Sequence, residues 1–377
     1  MNPTEFNGMA GELIFVQNQH TNYYSFVPRL LPVQIRFDDE AITLLAKTGF
    51  ELGRLEAITN EFPEFAELQS RKEALYSARL HGNGETLDNL FRYERGKRSI
   101  SDPKAAREAF GHIEALRACM PAISRGEITS HVILQAHKAM ADSNNEKDSV
   151  IRTRQNWLGS PETPAAIARY VPPPPERVMP LLENAIYYMQ ENEAMHPIVQ
   201  LALFHYQFEA IRPFEHANGR TGRLLISVYL QRSKLLNLPS LCISEYFERD
   251  RGAYYDTILH VSKTGDYLSW VKFFLKAMHY QARKAVRTAA KLSDYRNACM
   301  KRLGTSKSAE SSRIILDELF KNPYITIADA RDAIDATYPT AKHAVERLVH
   351  DGILVQEKKE RNRGFFAEKI YAIINEE

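Results

Sequence analysis

The chain has 377 residues, and its 49 lysines and arginines nearly balance its 47 aspartates and glutamates. A chain of this length is expected to form two or three folded units with cores of their own. Ordinary proportions of hydrophobic (44%) and charged (25%) residues exclude a collagen-like, low-complexity or wholly disordered protein.

The sequence shows no sign of a membrane or secretory destination. No stretch approaches the ~18 apolar residues of a spanning helix. The first residues lack the basic and apolar regions of a signal peptide. Three scattered cysteines form neither a CxxC pair nor an even framework. We therefore expect a soluble cytoplasmic protein without membrane contacts.

Apolar residues recur at spacings of three and four along most of the chain, for example at Leu224, Leu225 and Val228. This periodicity predicts a mostly α-helical fold. Helices are predicted over residues 38–53, 64–80, 102–120, 129–140, 175–191, 197–210, 221–233 and 246–263. Residues 151–159 and 165–171 instead predict a small β-hairpin, which we call the flap.

Residues 208–223 contain the pattern that carries chemistry. They read Phe-Glu-Ala-Ile-Arg-Pro-Phe-Glu-His-Ala-Asn-Gly-Arg-Thr-Gly-Arg, with a turn at Asn218 and Gly219 before a helix. Backbone N–H groups at such a helix start bind anions. Arg220 and Arg223, three residues apart, can both donate to phosphate oxygens. The pattern favours a polyphosphate site. The alternative is a helix start with two solvated arginines.

This segment resembles the signature of Fic (Fido-superfamily) proteins, H-P-F-x-D/E-G/A-N-G-R-x-x-R. Residues 77–83 resemble the inhibitory-helix motif S-S-x-I-E-G-N of members that carry their regulator on the N-terminal side. Residues 150–171 and 241–274 resemble the flap and the helices that follow the signature. The resemblance implies a Fic core over residues 101–280. An N-terminal helical segment over residues 1–100, with a degenerate inhibitory motif, would precede it.

The resemblance implies protein adenylylation, in which AMP passes from ATP, with Mg²⁺, to a Ser, Thr or Tyr hydroxyl. The acceptor would be a target protein or the chain itself. Carried over, the catalytic base falls at Arg212 and the metal carboxylate at His216. The residues implied to bind the nucleotide are Asn218, Gly219, Arg220, Gly222, Arg223, Tyr254 and Tyr255. Those implied for regulation are Ser77 and His81, and those implied for target binding at the flap are Arg152, Arg154 and Trp157.

Three positions depart from the family pattern, and they bear on activity. Arg212 replaces the histidine base, and a guanidinium with a pKa above about 12 does not accept protons at neutral pH. Loss of a general base costs roughly 10²–10⁴ in rate. His216 replaces a carboxylate, although Mg²⁺ prefers oxygen ligands. His81 replaces the inhibitory glutamate that would pair with Arg223, so this brake is expected to be absent.

The departures leave several functions open. The chain could transfer a nucleotide with His216 or His81 as a displaced base. It could have lost transfer while keeping the nucleotide pocket, with Arg212 as a third phosphate-binding cation. It could transfer a different phosphate-linked group. A non-catalytic role as a nucleotide-sensing transcriptional regulator is a further alternative. We expect an ATP-binding Fic protein with impaired transfer.

The C-terminal part has a pattern of its own. Residues 272–302 carry nine basic residues against one acidic residue, and they predict a basic helical linker over 281–305. Its charge is either a solvated face or a phosphate-facing stripe. Three helices and two strands, at 353–356 and 365–374, then indicate a winged-helix domain over 306–377.

Many Fic proteins carry a similar C-terminal winged-helix domain. It would bind duplex DNA or, alternatively, mediate protein contacts such as homodimerisation. The candidate DNA-binding residues are Thr340, Lys342, His343 and Arg347 on the third helix and Lys358, Lys359, Arg361 and Arg363 in the wing.

Overall fold

The structure is a computed structural model that describes residues 1–17, 22–96, 100–143, 150–159, 163–191, 195–357 and 364–376. Helices dominate these residues, which confirms the mostly α-helical fold class. The helices are α1 Asp39–Glu61, α2 Glu64–Arg79, α3 Leu87–Glu94, α4 Pro103–Ser124, α5 Ser130–Ser143, α6 Pro175–Glu191, α7 Pro197–Ile211, α8 Asn218–Arg232, α9 Ser244–Arg249, α10 Arg251–Thr264, α11 Tyr267–Leu303, α12 Glu310–Leu319, α13 Ile327–Ile334, α14 Tyr338–His350 and α15 Glu368–Ile374. In the described part of the chain, no helix is both long enough and apolar enough to cross a bilayer.

The predicted helix over 246–263 is two helices, α9 and α10, because the chain bends at Asp250. The backbone of Asp250 leaves the helical region (φ −130°, ψ 67°). Its side chain accepts a hydrogen bond from the N–H of Ala253 (3.0 Å) and so caps the second helix. Aspartate favours such caps over helix interiors.

Two strands near the N-terminus were not predicted from the sequence. Strands β1 Gly11–Gln17 and β2 Asn22–Pro28 pair in antiparallel fashion, with Gly11 opposite Pro28 and Gln17 opposite Asn22. By contrast, the described residues of the predicted flap make a single bridge, between Leu158 and Tyr170. Ala165–Ile167 within it form a 3₁₀ turn. The flap is thus two extended segments joined at one point.

The first of two compact units comprises Met1–Phe50, Gly111–Leu235 and Ile243–Tyr280. Its centre is α7, whose residues are buried from Ile198 to Ile211. Helix α7 packs against α6 and α8 and also contacts α10 and β2. A helix buried on all sides belongs to the middle of a core. The core therefore fixes both ends of the loop between α7 and α8.

The second unit comprises Glu51–Phe110, Leu236–Cys242 and Gln281–Glu377. In it α12, α13 and α14 pack on one another beside a three-stranded sheet. The sheet has the order β3 (Tyr324–Thr326), β5 (Gly364–Phe366), β4 (Val355–Gln356), and both pairings are antiparallel. Three helices and a β-hairpin agree with the predicted element order, and the winged-helix assignment stays a prediction.

The predicted strand over 365–374 is wrong for most of its length. The strand ends at Phe366, and α15 follows it. The buried residues of α15 are Ile370, Ile373 and Ile374. Their spacing of three and four is that of a helix, whereas a strand buries alternate residues.

Candidate functional site

The candidate site is the loop of residues 212–217, which joins α7 to α8. Its first and last residues adopt left-handed backbone conformations, with φ 48° and ψ 67° at Arg212 and φ 54° and ψ 17° at Ala217. Such conformations are uncommon outside glycine. The N–H of Arg212 still donates to the carbonyl of Phe208 (3.0 Å), which completes the last turn of α7. The loop is therefore held in a strained, defined conformation.

Asn218 closes this loop with its side chain. Its Oδ1 accepts from the N–H of Phe214 and its Nδ2 donates to the carbonyl of the same residue, both at 2.8 Å. Nδ2 of Asn156 donates to that carbonyl as well (3.0 Å). The sequence suggested that the Asn218 amide is a donor for phosphate. In the structure it instead shapes the loop, and the prediction of anion binding then depends on the main chain at the start of α8.

His137 on α5 contacts both the loop and the first turn of α8. Its ring stacks on Phe214, with centroids 3.7 Å apart and planes 4° apart. Its Nδ1 lies 3.3 Å from Oγ1 of Thr221, whose hydroxyl donates to the carbonyl of Ala217 (3.0 Å). Sequence reasoning gave His137 no role here. Nothing local signals it, because 77 positions separate it from Phe214 in the chain.

The two arginines of the signature are buried in the first turns of α8. Arg220 is 5% exposed and Arg223 is fully buried. This excludes the alternative of a helix start with two solvated arginines. A guanidinium is costly to bury unless charged or polar groups surround it. Two buried cations at the positive end of a helix dipole form a strongly electropositive environment.

Gly222 lets α8 approach α7 closely. A Cβ at this position would lie 2.7 Å from Oε1 of Glu209 and 3.1 Å from Cδ1 of Phe208. A larger residue would therefore force the side chains of Glu209 and Phe208 to shift. The resemblance implied nucleotide binding for Gly222, and its position explains it as a packing residue between two buried helices.

Arg212 lies opposite a buried carboxyl group. Its Nη1 is 4.0 Å from Oε2 of Glu209, with side chains 17% and 3% exposed respectively. Burial raises the pKa of Glu209, and the charges of Arg212 and Arg223 oppose that rise. Within the described residues, Nε of Arg212 and Oε1 of Glu209 have no hydrogen-bond partner. His216, four residues further on, is exposed.

The side chain of Arg152 is buried and donates hydrogen bonds to main-chain carbonyls. Its guanidinium donates to the carbonyls of Arg212 (Nε, 2.9 Å), Pro173 (2.5 Å), Ile211 (3.3 Å) and Arg154 (3.2 Å). Burial lowers its pKa to about 10, so it stays charged at neutral pH. Arg152 is only 2% exposed, so it does not fit the target-binding role that the resemblance implied. It anchors the C-terminal end of α7.

The other two flap candidates differ from Arg152. The side chain of Arg154 is 79% exposed, and its Nε lies 3.5 Å from Oε1 of Glu215. The indole of Trp157 donates to the carbonyl of Thr163 (2.7 Å), across the flap. Arg154 is thus on the surface beside the loop, and Trp157 holds the two flap segments together.

Tyr254 on α10 is fully buried, so it is not accessible to the adenine as the resemblance implied. Its hydroxyl lies 2.8 Å from Nε2 of His205, and Nδ1 of His205 lies 3.2 Å from the carbonyl of Gly222. Burial lowers the pKa of His205 to about 3. The neutral ring therefore donates from Nδ1 to the carbonyl and accepts from the tyrosine. Tyr255 is half-buried.

The loop carries a carboxylate at Glu215 but none at position 216, where the resemblance places the Mg²⁺ ligand. His216 presents an imidazole where the resemblance expects a carboxylate, and Mg²⁺ is bound mainly by oxygen ligands. No cluster of three or more His, Cys, Asp or Glu side chains that could hold a metal is found within the described ranges. The donors of this chain thus do not fit the family's metal site.

The remaining candidates belong to the second unit. Ser77 is buried in α2, and His81 is exposed just after that helix ends. Thr340, Lys342 and His343 are exposed on α14. Arg347 instead donates to the carbonyl of Leu303 (2.8 Å). The wing candidates Lys358, Lys359, Arg361 and Arg363 lie outside the described residues.

We expect Arg152→Met to lower the free energy of unfolding by about 2–4 kcal/mol, because buried carbonyls at the end of α7 would lose their donor. The matched control is Arg154→Met two residues away, which should change stability by less than about 0.5 kcal/mol. Urea denaturation of both variants measures the difference. Equal effects at the two positions would refute the anchoring role of Arg152.

We expect Ala217→Gly to be neutral or to stabilise the protein by up to about 1 kcal/mol. Glycine removes a left-handed strain of about 1–2 kcal/mol and adds about 0.5–1 kcal/mol of unfolded-state entropy. In the exposed helical control Ala290→Gly, the same change should cost about 1 kcal/mol. Thermal or chemical unfolding checks the sign, and a loss at residue 217 as large as that at 290 would contradict the strain.

Stability should fall as the solution is acidified below about pH 6.5, where unfolded histidines take up protons. Burial lowers the pKa of His112 and His205 to about 3 in the folded chain. Each of these two histidines therefore lowers the free energy of unfolding by up to about 1.4 kcal/mol for every unit by which the pH falls below about 6.5. Urea denaturation at several pH values should show that the free energy of unfolding of His112→Leu depends less steeply on pH. The reason is that this variant takes up one proton fewer when it unfolds. An unchanged slope would mean that His112 is not buried neutral.

Three comparisons with known proteins bear on this site. A family model described as the Fic/DOC family matches residues 127–230. Protein adenylyltransferase fic-1 of Caenorhabditis elegans is 29% identical over 153 residues, which is 40% of this chain and 27% of that protein. A probable protein adenylyltransferase of Aquifex aeolicus is 31% identical over 96 residues, which is 26% of this chain and 30% of that protein. The matches thus span less than a third of these relatives.

The fold is shared with a solved Fic family protein from Desulfovibrio desulfuricans. The TM-score is 0.61 at 21% identity, over 89% of this chain and 98% of that chain. The loop, the buried arginines and α8 as far as Leu230 lie inside the segment that the family model matches. Residues 127–230 of this chain therefore match the Fic/DOC family model, and the chain shares its fold with a solved Fic family protein.

Proposed function

We propose that this chain binds a nucleoside triphosphate, in the first instance ATP, at the N-terminus of α8, and that its transfer of AMP to protein hydroxyls is impaired. The observation that carries the proposal is the pair of buried guanidinium groups, Arg220 and Arg223, in the first turns of α8. They lie in a Fic domain, and similar proteins are named protein adenylyltransferases.

The impairment follows from the chemistry of residue 212. Transfer to a hydroxyl needs a group that accepts its proton, and a guanidinium stays protonated at neutral pH. The buried carboxyl of Glu209 lies 4.0 Å from the Arg212 guanidinium, as its ion-pair partner. Arg212 is better suited to contact phosphate, as a third cation at the site.

The acceptor in the proposed reaction is a Ser, Thr or Tyr hydroxyl on a target protein or on the chain itself. Exposed His216 is the group on the loop that could act as a displaced base, which would leave slow transfer rather than none. Transfer of a different phosphate-linked group uses the same cations and stays an alternative.

A nucleotide-sensing regulator that acts through the C-terminal helices is the other alternative from the sequence. Exposed Thr340, Lys342 and His343 on one helix support it. The carbonyl contact of Arg347 and the loose pairing of Lys342 with Glu346 (3.7 Å) weigh against a DNA surface. We favour the nucleotide site of the Fic domain as the primary function.

Incubation with ATP labelled at the α-phosphate, with Mg²⁺ or Mn²⁺, tests the proposal. We expect the unaltered chain to incorporate roughly 10²–10⁴-fold less label than the double variant Arg212→His, His216→Asp, because the variant restores a base and a carboxylate. The backbone at residue 212 suits the change, since histidine is enriched in the left-handed region. Adding Arg220→Ala to the double variant should abolish its labelling.

The single variants Arg212→His and His216→Asp serve as controls that separate the base from the carboxylate. Robust labelling by the unaltered chain, lost on Arg220→Ala, would disprove the impairment. A folded double variant that binds ATP but takes up no label would argue against a transferase scaffold. An unaltered chain that shows no heat of ATP binding in calorimetry would refute the nucleotide site itself.

A further inference from the structure

His112 on α4 is a buried histidine that neither the sequence pattern nor the signature assigns to any role. It is 3% exposed, and within the described residues neither of its ring nitrogens has a hydrogen-bond partner. His205, the other histidine of this unit with a similarly low pKa, uses both nitrogens. His112 is thus a fully buried polar side chain with two unused hydrogen-bonding atoms.

An unpaired buried polar group costs about 1–3 kcal/mol, so each instance in a native fold calls for an explanation. A ligand that is absent from the structure is one such explanation. The surroundings of His112 indicate which kind of ligand this is. In the described part of the chain, the charges that act on its ring are those of Arg223 and Arg220, both on α8.

His112 therefore lies close enough to the two signature arginines for their charges to act on its ring. Burial, and then the charges of Arg223 and Arg220, lower its pKa to about 3 in the absence of a ligand. The ring is neutral at physiological pH and offers one N–H donor and one acceptor. A neutral imidazole beside two cations is also a proton acceptor that becomes effective once an anion offsets those cations.

We propose that His112 is a further phosphate-contacting residue of this site. Its imidazole hydrogen-bonds the polyphosphate bound at the N-terminus of α8 and takes up one proton from solvent when that anion binds. The inference rests on the proposed nucleotide site and adds a residue and a pH dependence to it. The proton goes to the free ring nitrogen, so the bound imidazolium donates from both nitrogens.

The mechanism predicts that polyphosphate binding weakens as pH rises. Because each binding event takes up a proton, a high proton concentration at low pH favours binding. Above neutrality the proton concentration is low, and the affinity falls. The two arginines stay charged throughout this range, so they add no comparable dependence. The titrating group is then an imidazole on a helix remote in sequence from the signature.

Isothermal titration of ATP into the unaltered chain, in buffers of different ionisation enthalpy, counts the protons taken up per nucleotide bound. Near pH 7 we expect an uptake that approaches one. His112→Leu should remove that uptake and raise the dissociation constant about tenfold, the loss of one hydrogen bond to a charged group. Protonation changes of the nucleotide itself are common to both proteins and cancel in the comparison.

The matched control is His131→Gln, which alters an exposed histidine of α5 and should leave uptake and affinity unchanged. If His112→Leu does not fold, His112→Gln, which keeps a polar side chain but does not titrate, takes its place in the same comparison. ATP binding that depends on Arg220, without proton uptake and with an unchanged affinity in His112→Leu, would overturn the role of His112 and leave the nucleotide site standing. Absence of any ATP binding by the unaltered chain would overturn both.

Discussion

The close approach of two buried helices is the constraint on which the candidate site depends. Helices α7 and α8 meet at Gly222, where a Cβ would collide with Glu209 and Phe208. Because both helices are buried, their ends are fixed, and the short loop between them must take left-handed conformations at its first and last residues. Asn218 and Arg152 then satisfy the main-chain groups that this sharp connection leaves open. The position of the N-terminus of α8, where we propose that phosphate binds, is a consequence of how these helices pack.

The same packing explains how the loop can tolerate an arginine at its first position. The interactions that hold residue 212 in place are made by its main chain, through the carbonyl of Phe208 and the guanidinium of Arg152. The side chain contributes one distant ion pair, with Glu209. Its identity can therefore change with little effect on the loop. At residue 212 the loop conformation depends on backbone hydrogen bonds, whereas a catalytic role would depend on a side chain that accepts protons. A substitution can therefore change the catalytic role and leave the fold intact.

Sequence reasoning located the loop, its helix and the two arginines because all of these are local. A turn before an apolar helix and basic residues three apart are visible within sixteen positions.

Sequence reasoning failed where the role of a residue depends on long-range contacts. Arg152 and Arg154 look alike in sequence, yet one is buried against four carbonyls and the other is exposed. Tyr254 is buried, and its hydroxyl donates a hydrogen bond to His205, which is 49 residues away in the chain. The hairpin β1–β2 and the helix α15 were missed because short apolar runs fit either period.

Under the proposed function, the charge around the loop connects the missing base with the binding of phosphate. The described side chains here include four guanidinium groups, from Arg152, Arg212, Arg220 and Arg223, and the carboxyl groups of Glu209 and Glu215. Burial, and after it the positive charges of Arg223 and Arg220, disfavour a further proton here and lower the pKa of His112 to about 3. The same positive charges attract a polyanion, whose charge reverses their effect. A histidine base at position 212 would have to work against this field until nucleotide is bound, whereas an arginine adds to the field. Under the proposed function, an arginine at position 212 therefore favours phosphate binding over proton transfer.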